Sequence, residues 1–214
     1  MTSSIARRHA PTQRTAPSFD IRDAAQRFGR STPAASPDPE ATFNALNHSR
    51  QAVIFLRERG VSPQAIANPE MPRVASIAFT GGGFFDFADE IETDQPLARA
   101  MIFLARDQSG EPADLVAWVP NGNHLARWLG RTCLLGADKI FCPRLLDEGG
   151  LPVYRSPEGW MLNQRDGVVI VNQDGAVAAL MECGPLIGED EAHGLELDCL
   201  VNQNRVTIYA RSAA

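Results

Sequence analysis

Lysine is almost missing from this chain of 214 residues: Lys139 is the one lysine among 20 basic residues, and arginine supplies the rest. Clustered arginines would signal bidentate recognition of phosphate or carboxylate. Beyond the first 36 residues they are scattered, so the bias reads as the codon usage of a GC-rich bacterial genome. Long apolar runs are missing too. No stretch approaches the roughly 18 apolar residues of a membrane span, and the opening MTSSIARRHAPTQRTAPSF has none of the roughly 7 to 15 consecutive apolar residues of a secretory signal. The expectation is a cytoplasmic protein with no membrane partner. Paired cysteines are also lacking. Cys133, Cys142, Cys183 and Cys199 are far apart, with no Cys-x-x-Cys and no histidine at zinc-finger spacing, which excludes a zinc finger or a disulfide scaffold. In a reducing compartment they read as four free, mostly buried thiols. A net charge of −6 and a pI near 5.2 exclude holding polyanions by bulk electrostatics.

What is present suits one folded domain. Hydrophobic residues make up 44% and charged residues 21%, ordinary globular values in a chain long enough to bury a sizeable core. Residues 1–40 differ: rich in Ser, Thr, Ala, Pro and Arg, they hold too few apolar side chains to offset the entropy of ordering them. They read as a disordered arm, with a short helix at 20–28 (DIRDAAQRF) as its local exception. Up to Ser36 six arginines face Asp20 and Asp23, so the arm is basic while the rest is acidic. Residues 41–214 read as a single α+β domain.

Within that domain, Thr42 as N-cap, the apolar positions Phe43, Leu46, Val53, Ile54 and Leu56, and the stop at Gly60 predict one amphipathic helix. Ser62-Pro63 opens a short second one. Val74 to Phe79, Ala100 to Arg106 and Asp114 to Val119 read as strands, the last two joined by the turn Asp107-Gln108-Ser109-Gly110. After Pro120 two readings compete. A helix would align His124, Arg127 and Arg131 as a phosphate-binding stripe; the Asn121-Gly122 turn and Gly130 favour a returning antiparallel strand instead. Farther on, Ser156-Pro157 starts a short helix with Trp160 and Leu162, and Val168-Val169-Ile170-Val171 is a continuous apolar strand of the kind buried on both faces. Helices near 175–182 and 189–201 and a strand at 206–209 complete a β-α-α-β crossover with parallel strands. The expected whole is a mixed β-sheet, an antiparallel meander plus this crossover, with helices packed on it.

Three stretches, Ser156-Pro157 with Trp160, Arg165-Asp166-Gly167-Val168-Val169, and Glu189-Asp190-Glu191-Ala192-His193-Gly194, resemble a family of small proteins from GC-rich alphaproteobacterial genomes, some of them carried on mobile elements. The resemblance covers about the C-terminal third and implies no activity and no catalytic residue. Phe55-Leu56-Arg57-Glu58-Arg59-Gly60 also resembles a segment of phage-type primases. The Asp-x-Asp pair and cysteine zinc site that such a primase implies are not in this sequence.

Several constellations are candidates for chemistry. Gly81-Gly82-Gly83 follows a strand as a phosphate loop would, but Phe84, Phe85 and Phe87 come next where a Lys-Ser/Thr and a helix start are needed, so it reads as a turn that places aromatics in the core. Asp86, Asp89, Glu90, Glu92 and Asp94 crowd five carboxylates into one short stretch, a conceivable site for Mg²⁺ or Ca²⁺. The spacing fits no calcium loop, and a solvated loop is the favoured reading; no metal or other cofactor is expected. Glu189, Asp190 and Glu191 complement a helix dipole ahead of His193, which could serve as a general base. Cys183 would be a nucleophile only if it met that histidine. If the last strands are parallel, a ligand would sit beyond their carboxyl ends, at Asn172, Gln173 and Asp174.

No convincing catalytic set emerges from these pieces. The favoured function is a non-catalytic accessory or protein-interaction module of a bacterial genome or mobile element, with an unidentified protein partner. The alternatives are a small enzyme with a pocket at Asn172 to Asp174 and His193, and nucleic-acid binding through the arm with Arg127 and Arg131.

Overall fold

The computed structural model describes residues 36–90 and 96–203. The expected arm up to residue 35, its helix at 20–28, Glu92, Asp94 and the strand at 206–209 lie outside them. The described part is α+β: helices with two β-sheets.

The amphipathic run after Thr42 is two helices instead of one, α1 (Pro39–Ala45) and α2 (Arg50–Glu58). Two local interactions break it. Asp38 caps α1 through Glu40 N–H, and Ser49 caps α2 through Ala52 N–H at 3.3 Å. Between them Asn47 pairs with Val74, whose N–H donates to the Asn47 carbonyl. The next helix, α3 (Pro63–Ala67), starts where Ser62-Pro63 signals it, with the Ser62 hydroxyl accepting from Ala65 N–H.

Strands β1 (Arg73–Gly81), β2 (Phe84–Phe87), β3 (Ala98–Arg106), β4 (Pro112–Val119) and β5 (His124–Arg127) close into a barrel in the order β1-β2-β5-β4-β3. All its pairings are antiparallel except β2 with β5, which meet at Phe84 and Arg127. The Asp107 carboxylate folds the β3–β4 turn by accepting from Ser109 N–H at 2.8 Å and Glu111 N–H at 3.1 Å. After Asn121-Gly122 the chain returns as a strand, so His124, Arg127 and Arg131 do not form a helical stripe.

A second sheet follows. Strands β6 (Leu134–Leu135), β7 (Leu151–Tyr154), β8 (Val168–Ile170) and β9 (Leu186–Ile187) lie in the order β6-β8-β7-β9. Helices α4 (Pro143–Asp147), α5 (Pro157–Leu162), α6 (Gln173–Glu182) and α7 (Glu191–Gln203) accompany it. The expectation of one mixed sheet is therefore corrected: the meander closes on itself, and β8 pairs parallel to β7 and antiparallel to β6. The reason is that β1 pairs with both β2 and β3, which leaves no meander edge for β8.

One core nevertheless joins the two sheets. The barrel interior holds Ile77, Phe85, Ile102, Leu115 and Ala126, with Phe43 of α1 packed among them. The outer face of β3 and β4 presents Met101, Phe103, Val116 and Trp118 to Leu56, Ile66, Tyr154, Trp160, Met161 and Val169. Ring contacts knit this layer: Phe103 lies 6.4 Å from Trp118 and 6.2 Å from Trp160, pairs that add to the burial of each ring. Behind the second sheet, Val153 and Val168 pack against Ala176 and Leu180 of α6 and Leu197 of α7. Among the described residues no helix is long and apolar enough to cross a membrane.

Candidate functional site

Parallel strands β7 and β8 end side by side, and the chain leaves them as Tyr154-Arg155 and Ile170-Val171. These four residues, with Gln173, His193, Glu196, Leu197 and Leu200, line a groove of about 420 Å³. An adjoining groove shares Gln173, Glu196 and Leu200 and continues along α7 past Ala192, Leu195 and Cys199. Sequence reasoning looked beyond the carboxyl end of β8 for a pocket, and Gln173 is there. Its parallel neighbour, however, is β7, whose four residues carry no distinctive period.

The flanking candidates do other work. Asn172 is the N-cap of α6, its side chain accepting from Gly175 N–H at 3.0 Å, and Asp174 is an exposed acid in the first turn, where it complements the helix dipole. Both are explained by helix initiation.

His193 is 5% exposed. Its Nδ1 accepts the Glu189 N–H at 3.1 Å, which fixes the neutral ring with its proton on Nε2, and the His193 backbone N–H donates to Asp190 Oδ1 at 2.7 Å. Arg155 gathers the acids: its guanidinium meets Asp190 Oδ2 at 2.8 Å and Glu196 Oε1 at 3.1 Å, while its backbone N–H donates to Glu189 Oε2. Arg155 in turn holds the Asp190 carboxyl below its ordinary range. Burial, then the nearby Arg155 charge, push the His193 pKa down, against the opposing pull of Glu189. Burial and the Glu189 N–H on Nδ1 therefore both favour the neutral imidazole in this groove.

This depression has a measurable consequence. An unfolded chain takes up the His193 proton near 6.5, before the folded protein does, so stability is full above that value and falls as pH drops towards the lower folded one. His193→Asn keeps an acceptor in place of Nδ1 without the titration. Urea unfolding between about pH 5 and 7 is expected to show a shallower loss of stability for His193→Asn than for the wild type; equal slopes would contradict this assignment.

The remaining candidates are scattered. Cys183 closes α6, its thiol donates to the Ala179 carbonyl at 3.1 Å, and burial pushes its pKa up to about 11. It does not line the His193 groove, and a thiol so raised is a poor nucleophile. Arg127 is half-buried, donates to the Thr132 carbonyl at 3.3 Å and lies over the Phe84 ring at 4.7 Å. Arg131 is exposed, and its backbone N–H is bound by Asp114. Asp86 lies on β2, and Asp89 and Glu90 form the 3₁₀ turn after it. Among the described residues no three His, Cys, Asp or Glu side chains converge as metal ligands.

Sequence reasoning passed over Leu195, the most exposed large apolar side chain among the described residues at 62%. A weak signal was available: on α7, Leu197 and Leu200 share the buried side with His193, whereas Ala192, Leu195 and Cys199 fall on the other, at spacings of three and four. Comparison with protein-family models, with curated proteins and with solved structures finds no match to this chain.

Proposed function

We propose that the chain is a non-catalytic protein-interaction module whose contact surface is the groove along α7. The observation that carries this reading is Leu195, exposed beside Ala192 and Cys199 on a helix whose opposite side is already buried. Exposed apolar side chains in a groove with a polar rim mark interaction sites. The helix is acidic: Asp190 just before it and Glu191, Glu196 and Asp198 on it are all exposed, although Asp190 and Glu196 are also held by Arg155. The occupant that complements it is an apolar segment of a partner protein flanked by Arg or Lys, with the acids steering its approach.

Capture from an extract of the native host tests this with two variants. Wild type is expected to retain a protein that Leu195→Glu loses, in a salt-sensitive manner, and that Leu97→Glu keeps, since Leu97 is comparably exposed at 57% but lies away from the groove, beside β3. Retention by Leu195→Glu would contradict the reading. A wild-type dimer in light scattering that Leu195→Glu abolishes would reassign the groove to a second copy of the chain.

A second reading, a small enzyme, draws on the placement of His193 and Gln173 in one groove at the ends of parallel strands. It requires His193 to release the Glu189 N–H before Nδ1 can take a proton, and so it ranks below the first.

A further inference from the structure

A different cleft, of about 310 Å³, opens where the barrel meets the second sheet. Phe103 and Leu104 of β3, Leu135 of β6 and Trp160 of α5 supply its apolar wall; Arg106, Lys139 and Arg165 bring positive charge, and Glu70 and Asp138 bring negative. Two of the cations are paired, Arg106 with Glu70 and Lys139 with Asp138 at 3.2 Å. Arg165 is the exception. It is 5% exposed, sits on a left-handed backbone (φ 61°), and stacks over Trp160 at 5.2 Å. Both hydrogen bonds of its guanidinium run from Nη2 to neutral backbone carbonyls, those of Ile66 at 3.2 Å and Glu70 at 3.0 Å. Its Nε–H is buried without a partner, and among the described residues no carboxylate pairs with it. A guanidinium taken from water with no carboxylate in contact is costly; burial lowers its pKa to about 10, opposed in part by the nearby Glu70 charge. The lining thus carries one excess positive charge in a chain whose net charge is −6.

We infer that this cleft is a binding site for a small organic anion, whose carboxylate or phosphate oxygens complete the charge of Arg165 within reach of Lys139 while an apolar or aromatic body lies against Phe103 and Trp160. The site is independent of the α7 groove, because the two share no lining residue. It also gives the lone lysine a place: a flexible ammonium at the rim can follow an oxyanion that the rigid, buried arginine holds.

The test titrates the full chain, labelled with ¹⁵N, with benzoate and separately with inorganic phosphate, against sodium chloride at matched ionic strength. Saturable shifts of the Trp160 indole and Arg165 Nε–H signals are expected, with Kd at least about tenfold weaker in Lys139→Gln. Lys139 is one-third exposed, so that variant folds even where Arg165→Met does not. The body is distinguished by the probe: saturation by benzoate alone assigns a carboxylate on an aromatic frame, and saturation by phosphate assigns a phosphoryl group. Shifts that chloride reproduces, no saturation with either probe, or equal affinity in Lys139→Gln would each overturn the assignment.

Discussion

Asp114→Ala is expected to lower the stability of the protein by about 4 kcal/mol, because it strips the acceptors from four backbone N–H groups at once. Asp114 is fully buried. Its Oδ1 accepts from Leu115 and Leu129 N–H, both at 2.8 Å, and its Oδ2 from Arg131 N–H at 2.7 Å and Thr132 N–H at 3.3 Å. One carboxylate thereby folds the connection that leads from β5 to β6, from the barrel to the second sheet. Each donor left buried without a partner costs about 1 to 3 kcal/mol, and partial rehydration of the loop offsets part of the sum. In a domain of this size the loss corresponds to a fall in Tm of about 10 °C. Asp114→Asn keeps one acceptor oxygen but turns an NH₂ towards two N–H donors, so about half the effect is expected. Thermal and urea unfolding read both; a fall of less than about 1 kcal/mol for Asp114→Ala would remove the carboxylate from its structural role.

Gly167→Ala is expected to be as damaging for a different reason. The residue sits at φ 118°, and an added Cβ would lie 2.4 Å from the Pro152 carbonyl oxygen and 2.9 Å from the Pro152 Cβ. Pro152 belongs to β7 and Gly167 leads into β8, so relief would push the parallel pair apart. The Gly167 carbonyl also accepts the Trp160 indole N–H at 2.9 Å. Backbone strain of about 1 to 3 kcal/mol and a similar cost of overpacking add to about 4 kcal/mol. Gly110→Ala isolates the first contribution, since Gly110 has φ 88° and nothing within 4 Å of its added Cβ. Equal losses for the two variants in urea unfolding would show that the close approach to β7 carries no weight.

Local chemistry was the legible part of this fold. Ser62-Pro63, Asp107 to Gly110, Asn121-Gly122 and Ser156-Pro157 each mark a cap or turn whose partners lie within a few residues, and each is found where it was expected. What escaped depends on distant partners. The break at Asn47 is set by pairing with Val74, and the closing of the barrel by Phe84 meeting Arg127. Strands of two residues, such as β6 and β9, carry no period at all. Asp114 read only as the start of a strand, because the amides it binds lie 15 to 18 residues later except for its own neighbour. At the candidate site, the acids before His193 were understood as helix-starting residues, yet the role of Arg155 in gathering them required β7 to end beside α7. Arg165 looked like a turn residue, and its burial follows from carbonyls almost a hundred positions earlier.

The groove and the cleft both depend on the barrel and the second sheet forming one cooperative unit through Phe103, Trp118, Trp160 and Val169. Native-state amide hydrogen exchange tests that unit directly by comparing Val116 on β4 with Val169 on β8. Equal opening free energies, both matching global unfolding, are the expected result. Opening of Val169 at a much smaller free energy, with Val116 still protected, would separate the two sheets and contradict the common core.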